Sequence, residues 1–131
     1  MKRKKNSMKS KIKIVCFDLD NTICISHKNH YQKSKPIKRN IKFINLLFNK
    51  GYYIKIFTSR FMGRSNEKAS LAKKKGFKFT KKQLNDWGLK YDELIFGKPS
   101  YDLFVDDKNL GYEKNWLNLW VFYLYLCVQH Q

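Results

Sequence analysis

Asp18 and Asp20 stand two residues apart at the end of an apolar run, Ile14-Val15-Cys16-Phe17. Carboxylates so close repel each other, and the arrangement is tolerable if a cation sits between them or one is protonated. Such a pair suits phosphoryl transfer. One carboxylate can attack phosphorus and become an aspartyl-phosphate. The second can protonate the leaving oxygen and then deprotonate the attacking water. Thr58 and Ser59 add hydroxyls, Lys98 adds a positive charge for the phosphoryl oxygens, and Asp106 and Asp107 add oxygen ligands for Mg²⁺, which keeps several waters of its own. Read alone, Asp-x-Asp-Asn is equally good turn chemistry.

The elements that would position these residues follow from local pattern. Lys11–Phe17 reads as a first strand buried on both faces, as in a parallel sheet. The polar stretch from Ile23 to Lys35 reads as a loop or small hairpin. Its Cys24, His27 and His30 are spaced like zinc ligands but lack a fourth partner nearby, so no zinc is expected there. Pro36 suits the first turn of a helix carrying Ile37, Ile41, Ile44, Leu47 and Phe48 on one side, with Gly51 as its stop. Tyr52–Phe57 is a second strand, leading to Thr58-Ser59-Arg60. Ser65 is a candidate cap for a helix ending at Gly76, and Thr80 for another closed by Gly88. Asp92–Phe96 and Tyr101–Val105 read as a third and a fourth strand, and the chain from Gly111 onward as helix. Strand, helix, strand, helix, strand, strand predicts a doubly wound parallel α/β sheet. In such a sheet the carboxyl ends of the strands carry the ligand site.

The 131 residues suffice for one domain, expected over 11–131 behind a basic, flexible arm at 1–10. The net charge of +18 invites a nucleic-acid reading. That reading is disfavoured. Arginine leads base and phosphate readout, and only Arg3, Arg39, Arg60 and Arg64 occur. Lysine is instead spread along the chain, as an AT-rich coding bias would leave it. Against this background Asp18, Asp20, Asp102, Asp106 and Asp107 gather in two short stretches, which suggests a divalent cation. Cys16, Cys24 and Cys127 form no CxxC pair and point to a reducing, cytoplasmic compartment. The N-terminal stretch has no apolar core of a secretory signal, and Leu117–Val128 is too short to span a bilayer as a helix.

Four segments in order, Asp18-x-Asp20-x-Thr22, Thr58-Ser59, Lys98-Pro99 and Asp106-Asp107, resemble the motifs of the haloacid dehalogenase (HAD) superfamily over roughly Ile12 to Lys108. The runs Phe57–Arg64 and Phe96–Lys108 resemble, more narrowly, small capless members active as capsule and surface-polysaccharide biosynthesis phosphatases. The resemblance implies a three-layer α/β/α Rossmannoid fold without a cap domain. It implies Asp18 as nucleophile and Mg²⁺ ligand, and Asp20 as acid/base with its carbonyl on the metal. Thr58 would bind the phosphoryl group, assisted by backbone N–H groups of Leu19, Asn21 and Ser59. Lys98 would neutralise phosphate and Asp18, and Asp106 and Asp107 would hold Mg²⁺. Arg60 and Arg64 are candidates for substrate contact, and Thr22 for a structural hydroxyl. The dehalogenase branch lacks the second Asp, so Asp20 favours phosphatase.

The expected function is a Mg²⁺-dependent phosphomonoesterase of a sugar phosphate or similar small metabolite. The alternatives are a nucleic-acid end-processing phosphatase and a non-catalytic binding subunit. Neither Asp20–Pro36 nor Thr58–Lys98 has room for a cap, so the site should be open. An open site excludes water poorly, which leads to the expectation of a homo-oligomer whose subunits cover one another's sites, with the apolar Leu117–Val128 segment as the candidate contact.

Overall fold

The computed structural model describes residues 12–28 and 30–129. The basic arm expected at 1–10 lies outside them. The chain divides into two compact units, one ending at Ser100 and one beginning at Tyr101.

The first unit is built on a parallel sheet of β1 (Ile14–Asp18), β4 (Tyr53–Thr58) and β5 (Glu93–Phe96), in the order β1-β4-β5. Between β1 and β4 lie a small antiparallel hairpin, β2 (Cys24–Ile25) and β3 (Lys35–Pro36), and helix α1 (Lys38–Asn49). Helix α2 (Ala69–Asp86) connects β4 to β5. Asp18 pairs in register with Phe57, and Thr58 with Phe96, so the strands end together. This is an α/β architecture of Rossmann-like kind.

Both helices pack on the sheet face that carries Ile54 and Ile56. Ile41 and Ile44 of α1 and Leu84 of α2 meet these two residues in one buried cluster with Leu19 and Ile23. Ala72 of α2 packs with Phe96 and Met62 in a second cluster. The opposite face is different. Ile14 is 60% exposed and Cys16 and Tyr53 are exposed too, so β1 is not the doubly buried strand that its apolar run suggests.

Glycine stops at two helix ends work as read. Gly51 follows α1 at φ +98°, with its N–H donating to Phe48 O and the Tyr52 N–H to Leu47 O. Gly88 follows α2 at φ +72° with the equivalent bonds to Asn85 O and Leu84 O. Each is a left-handed cap that satisfies the last carbonyls.

Gly76 is not a stop. The two helices expected on either side of it are one helix of 18 residues. A Cβ at Gly76 would lie 2.3 Å from the Phe61 ring, so the glycine clears space for that ring. This contact offsets the roughly 1 kcal/mol that a helical glycine costs. Thr80 is accordingly a buried mid-helix residue rather than a cap, and Ser65 lies in a separate 3₁₀ turn, Gly63–Ser65. Pro36 belongs to β3, and α1 begins after Ile37, whose N–H is taken by Ile23 O.

The second unit contains no strand among the described residues, which corrects the expectation for Tyr101–Val105. The Tyr101 and Phe104 rings stack 5.1 Å apart. Residues three apart face opposite sides of an extended strand, so this contact requires a folded-back chain. Asp106 closes a turn by accepting the Lys108 N–H at 2.8 Å. Helix α3 (Trp116–Gln129) follows, as expected from the sequence, with Leu117, Leu119 and Val121 exposed. Among the described residues no helix is long and apolar enough to cross a membrane.

Candidate active site

β1 delivers Asp18 to the carboxyl edge of the sheet. The chain then turns tightly, with the N–H groups of Thr22, Ile23 and Cys24 all directed at the Leu19 carbonyl. Asn21 takes a left-handed conformation at φ +61°, which asparagine tolerates better than most residues. Its side chain accepts from the Ser26 N–H, which ties the turn to the hairpin. The turn reading and the site reading of Asp-x-Asp-Asn are therefore compatible.

Asp18 is held from two sides. Thr22 Oγ1 donates to its Oδ2 at 3.2 Å, and Lys98 Nζ lies 3.0 Å from its Oδ1. Lys98 is brought there by backbone geometry. Its N–H donates to Thr58 O at 3.2 Å, and Gly97 before it sits at φ +100°. A Cβ at Gly97 would lie 2.7 Å from the Ala69 Cβ, so only glycine fits this approach. Lys98 is 15% and Asp18 35% exposed, so the pair is sheltered yet reachable.

Asp20 points elsewhere. Its Oδ1 accepts from Arg60 Nη2 at 2.8 Å, from Arg60 Nε at 3.1 Å, from the Ser26 hydroxyl and from the Cys24 thiol. Its Oδ2 receives only Arg60 Nε, at 3.0 Å, among the described residues. Burial pushes the Cys24 thiol pKa up, which keeps it a neutral donor beside the carboxylate.

Arg60 was a candidate for substrate contact, and its side chain is fully buried instead. Nη1 donates to Gln83 Oε1 at 2.7 Å and approaches Thr80 Oγ1, while Nη2 approaches Ser34 Oγ. The Tyr31 ring lies 4.8 Å from its Cζ. One guanidinium thus joins the β1 turn, the hairpin and α2. Nothing in the local pattern signalled the roles of Ser26, Ser34, Gln83 or Tyr31.

Thr58 is buried at the end of β4, and its hydroxyl accepts the Arg60 N–H at 3.1 Å. Ser59 is half-buried beside it. The Asn21 N–H expected to assist at the phosphoryl group donates to Cys24 O at 2.7 Å in this conformation. Leu19 is completely buried. Arg64 is exposed, with its Cζ 5.0 Å from the Phe61 ring centroid and 5.4 Å from that of Tyr31. Asp106 and Asp107 belong to the second unit, described separately.

No family model matches this sequence, and no curated protein matches it. The chain is similar to a crystal structure of a structural-genomics target from Vibrio cholerae. The TM-score is 0.69 at 23% identity, over 74% of this chain and 81% of that one. The likeness is one of fold.

A metal site can be tested against the residues themselves. Among the described residues no three His, Cys, Asp or Glu side chains gather as a ready cluster. The Asp18 carboxylate and the Asp20 carbonyl are hard oxygen donors, a set that suits Mg²⁺ because this ion fills its remaining positions with water and phosphate oxygens. It would suit zinc poorly. A groove of about 880 Å³ between α1 and the end of α2, lined by Lys38, Phe43 and Trp87 among others, includes none of the candidate site residues.

Proposed function

We propose that this protein is a phosphomonoesterase that works through an aspartyl-phosphate on Asp18. The observation that carries this reading is the Lys98 ammonium 3.0 Å from Asp18 Oδ1, at the carboxyl edge of a parallel sheet. An ammonium there pairs with the Asp18 carboxylate and would face the oxygens of any phosphoryl group that Asp18 attacks.

In the first step an Asp18 oxygen forms a bond to phosphorus as the ester P–O bond breaks, and the leaving oxygen takes a proton from Asp20. In the second, Asp20 removes a proton from water, whose oxygen attacks phosphorus and releases Asp18 and inorganic phosphate. The hydrogen bonding of Asp20 supports a division of labour between its oxygens. Oδ1 accepts from Arg60, Ser26 and Cys24, whereas Oδ2 accepts from Arg60 Nε alone among the described residues and is the less crowded of the two. Thr58 and the backbone at Ser59 would line the phosphoryl pocket. Mg²⁺ would be held by Asp18 and the Asp20 carbonyl, with Asp106 and Asp107 assigned to it by the family resemblance. When bound, it would neutralise charge on the phosphoryl oxygens.

The substrate class we propose is a small phosphorylated sugar of surface-polysaccharide synthesis, taken by a homo-oligomer in which a neighbouring subunit shelters the site. Hydrolysis of p-nitrophenyl phosphate and of a panel of sugar phosphates tests the reading. Asp18→Asn should abolish turnover with the fold intact, because an amide cannot form the acyl phosphate. Full activity in a clean Asp18→Asn preparation would refute the mechanism.

A further inference from the structure

The outer side of α1 is not a plain polar face. Phe43 and Leu46 stand there 57% and 48% exposed. With Trp87, just past the end of α2, they line the groove of about 880 Å³ that lies apart from the candidate active site. The α1 wall of this groove runs from Lys38 to Asn49, the full 12 residues of the helix, or about 18 Å. Its two walls are pinned together. Asn45 Nδ2 donates to Gly88 O at 2.8 Å, and Asn45 Oδ1 accepts the Lys90 N–H at 2.7 Å. Trp87 is half-buried against the main core cluster. The groove is therefore preformed, which lowers the cost of ordering on binding.

Its rim is cationic on both walls. Lys38, Arg39 and Lys42 stand on α1, and Lys90 follows α2. Among the described residues no ion pair engages these four, and the one carboxylate of the lining, Asp86, is paired with Lys82 at 2.7 Å. Lys38 and Arg39 occupy the first turn of α1, which holds no acidic residue and where the helix dipole disfavours positive charge. The helix itself gains nothing from them. A long apolar stripe between two fixed walls suits a helix laid along it, with apolar anchors at i, i+3, i+4 and i+7. Cations on both rims call for carboxylates flanking those anchors. We propose that this groove docks an acidic amphipathic helix of a partner protein. Phe43, Leu46 and Trp87 receive its apolar residues, and the rim cations pair with its carboxylates. A second copy fits less well, because each carries a charge of +18 and its most apolar helix, α3, contains no carboxylate. Nucleic acid also fits less well, because Pro36, Ile41 and Leu46 of the lining give bases no aromatic platform. The proposal is independent of the phosphomonoesterase reading, which uses none of these residues.

The test gives the full chain three probes. One is a synthetic helix of about four turns with Leu and Phe at i, i+3, i+4 and i+7 and Glu elsewhere. The second has Lys in place of Glu, and the third is an oligo(dT) strand. The Glu peptide should bind at least about tenfold more tightly than either of the others and should move the Trp87 indole N–H signal in NMR spectra. Phe43→Ala should weaken it about tenfold, the usual effect of losing an apolar anchor. Arg39→Glu combined with Lys42→Glu should weaken the Glu peptide and strengthen the Lys peptide, a reversal that loss of folding does not produce. Equal affinity for the two peptides, a Trp87 signal unmoved by the Glu peptide, or tighter binding of oligo(dT) overturns the proposal. So does dissociation of a wild-type oligomer by Phe43→Ala, which would make this face a contact between copies.

Discussion

Arg60 and Asp20 are joined by a forked ion pair, Nη2 to Oδ1 at 2.8 Å and Nε to Oδ2 at 3.0 Å, with the guanidinium wholly buried. The two residues lie 40 positions apart in the chain. Removing the carboxylate strands a buried cation, whereas removing the guanidinium leaves a carboxylate that is 21% exposed and partly hydrated. Asp20→Ala should therefore destabilise the protein by about 3 kcal/mol, and Arg60→Met by less. The double variant should be more stable than Asp20→Ala. Urea denaturation measures all three, and an Asp20→Ala protein as stable as the wild type would contradict the assignment of the pair as a structural clamp.

Lys98→Ala should lower kcat by about 10²-fold, the usual effect of deleting one stabilising group at a reacting centre. Its effect on stability should stay below about 1 kcal/mol, because the partner Asp18 is 35% exposed and screened by water. Steady-state kinetics with p-nitrophenyl phosphate, beside a melting curve, separates the two. Unchanged kinetics would leave the Lys98–Asp18 pair with no part in catalysis.

Chelation with EDTA should abolish turnover, and Mg²⁺ should restore it. Asp106→Ala and Asp107→Ala should each raise the Mg²⁺ concentration needed for half-maximal activity. Magnesium titration of activity in the three proteins measures this. Full turnover without metal would show that the acidic stretches serve another purpose.

Gly76→Ala should destabilise the protein although alanine favours helix. The added Cβ would lie 2.3 Å from the fixed Phe61 ring. Overpacking costs about 1–3 kcal/mol, more than the roughly 1 kcal/mol gained in propensity. A net loss of about 1 kcal/mol should lower Tm by about 4–8 °C. Adding Phe61→Ala should abolish the penalty of Gly76→Ala. A thermal melt at least as high as that of the wild type would show that the ring can move aside.

Much of the site is legible in the sequence because its geometry is local. Asp18 ends a strand because four apolar residues precede it and turn chemistry follows it. Gly51 and Gly88 end helices because a left-handed residue is needed to satisfy the last carbonyls. Lys98 reaches Asp18 through a Gly-Lys-Pro turn that stands out in the sequence as a break after a strand.

What the sequence determined by itself was three of the four expected strands, with Asp18 and Thr58 ending two of them, since side-chain period and turn preference act over a few residues. The tertiary structure decided the partners. Gly76 had the local look of a helix stop, and the arrival of Phe61 from another segment made it a packing site inside one helix. Arg60 had the look of a substrate contact, and burial against Asp20, Gln83 and Tyr31 made it part of the scaffold. Tyr101–Val105 had the composition of a strand, but a strand exists only where a neighbour supplies its ladder, and here the chain folds back to stack Tyr101 on Phe104. These outcomes depend on contacts between residues distant in sequence, whose energies no local pattern encodes.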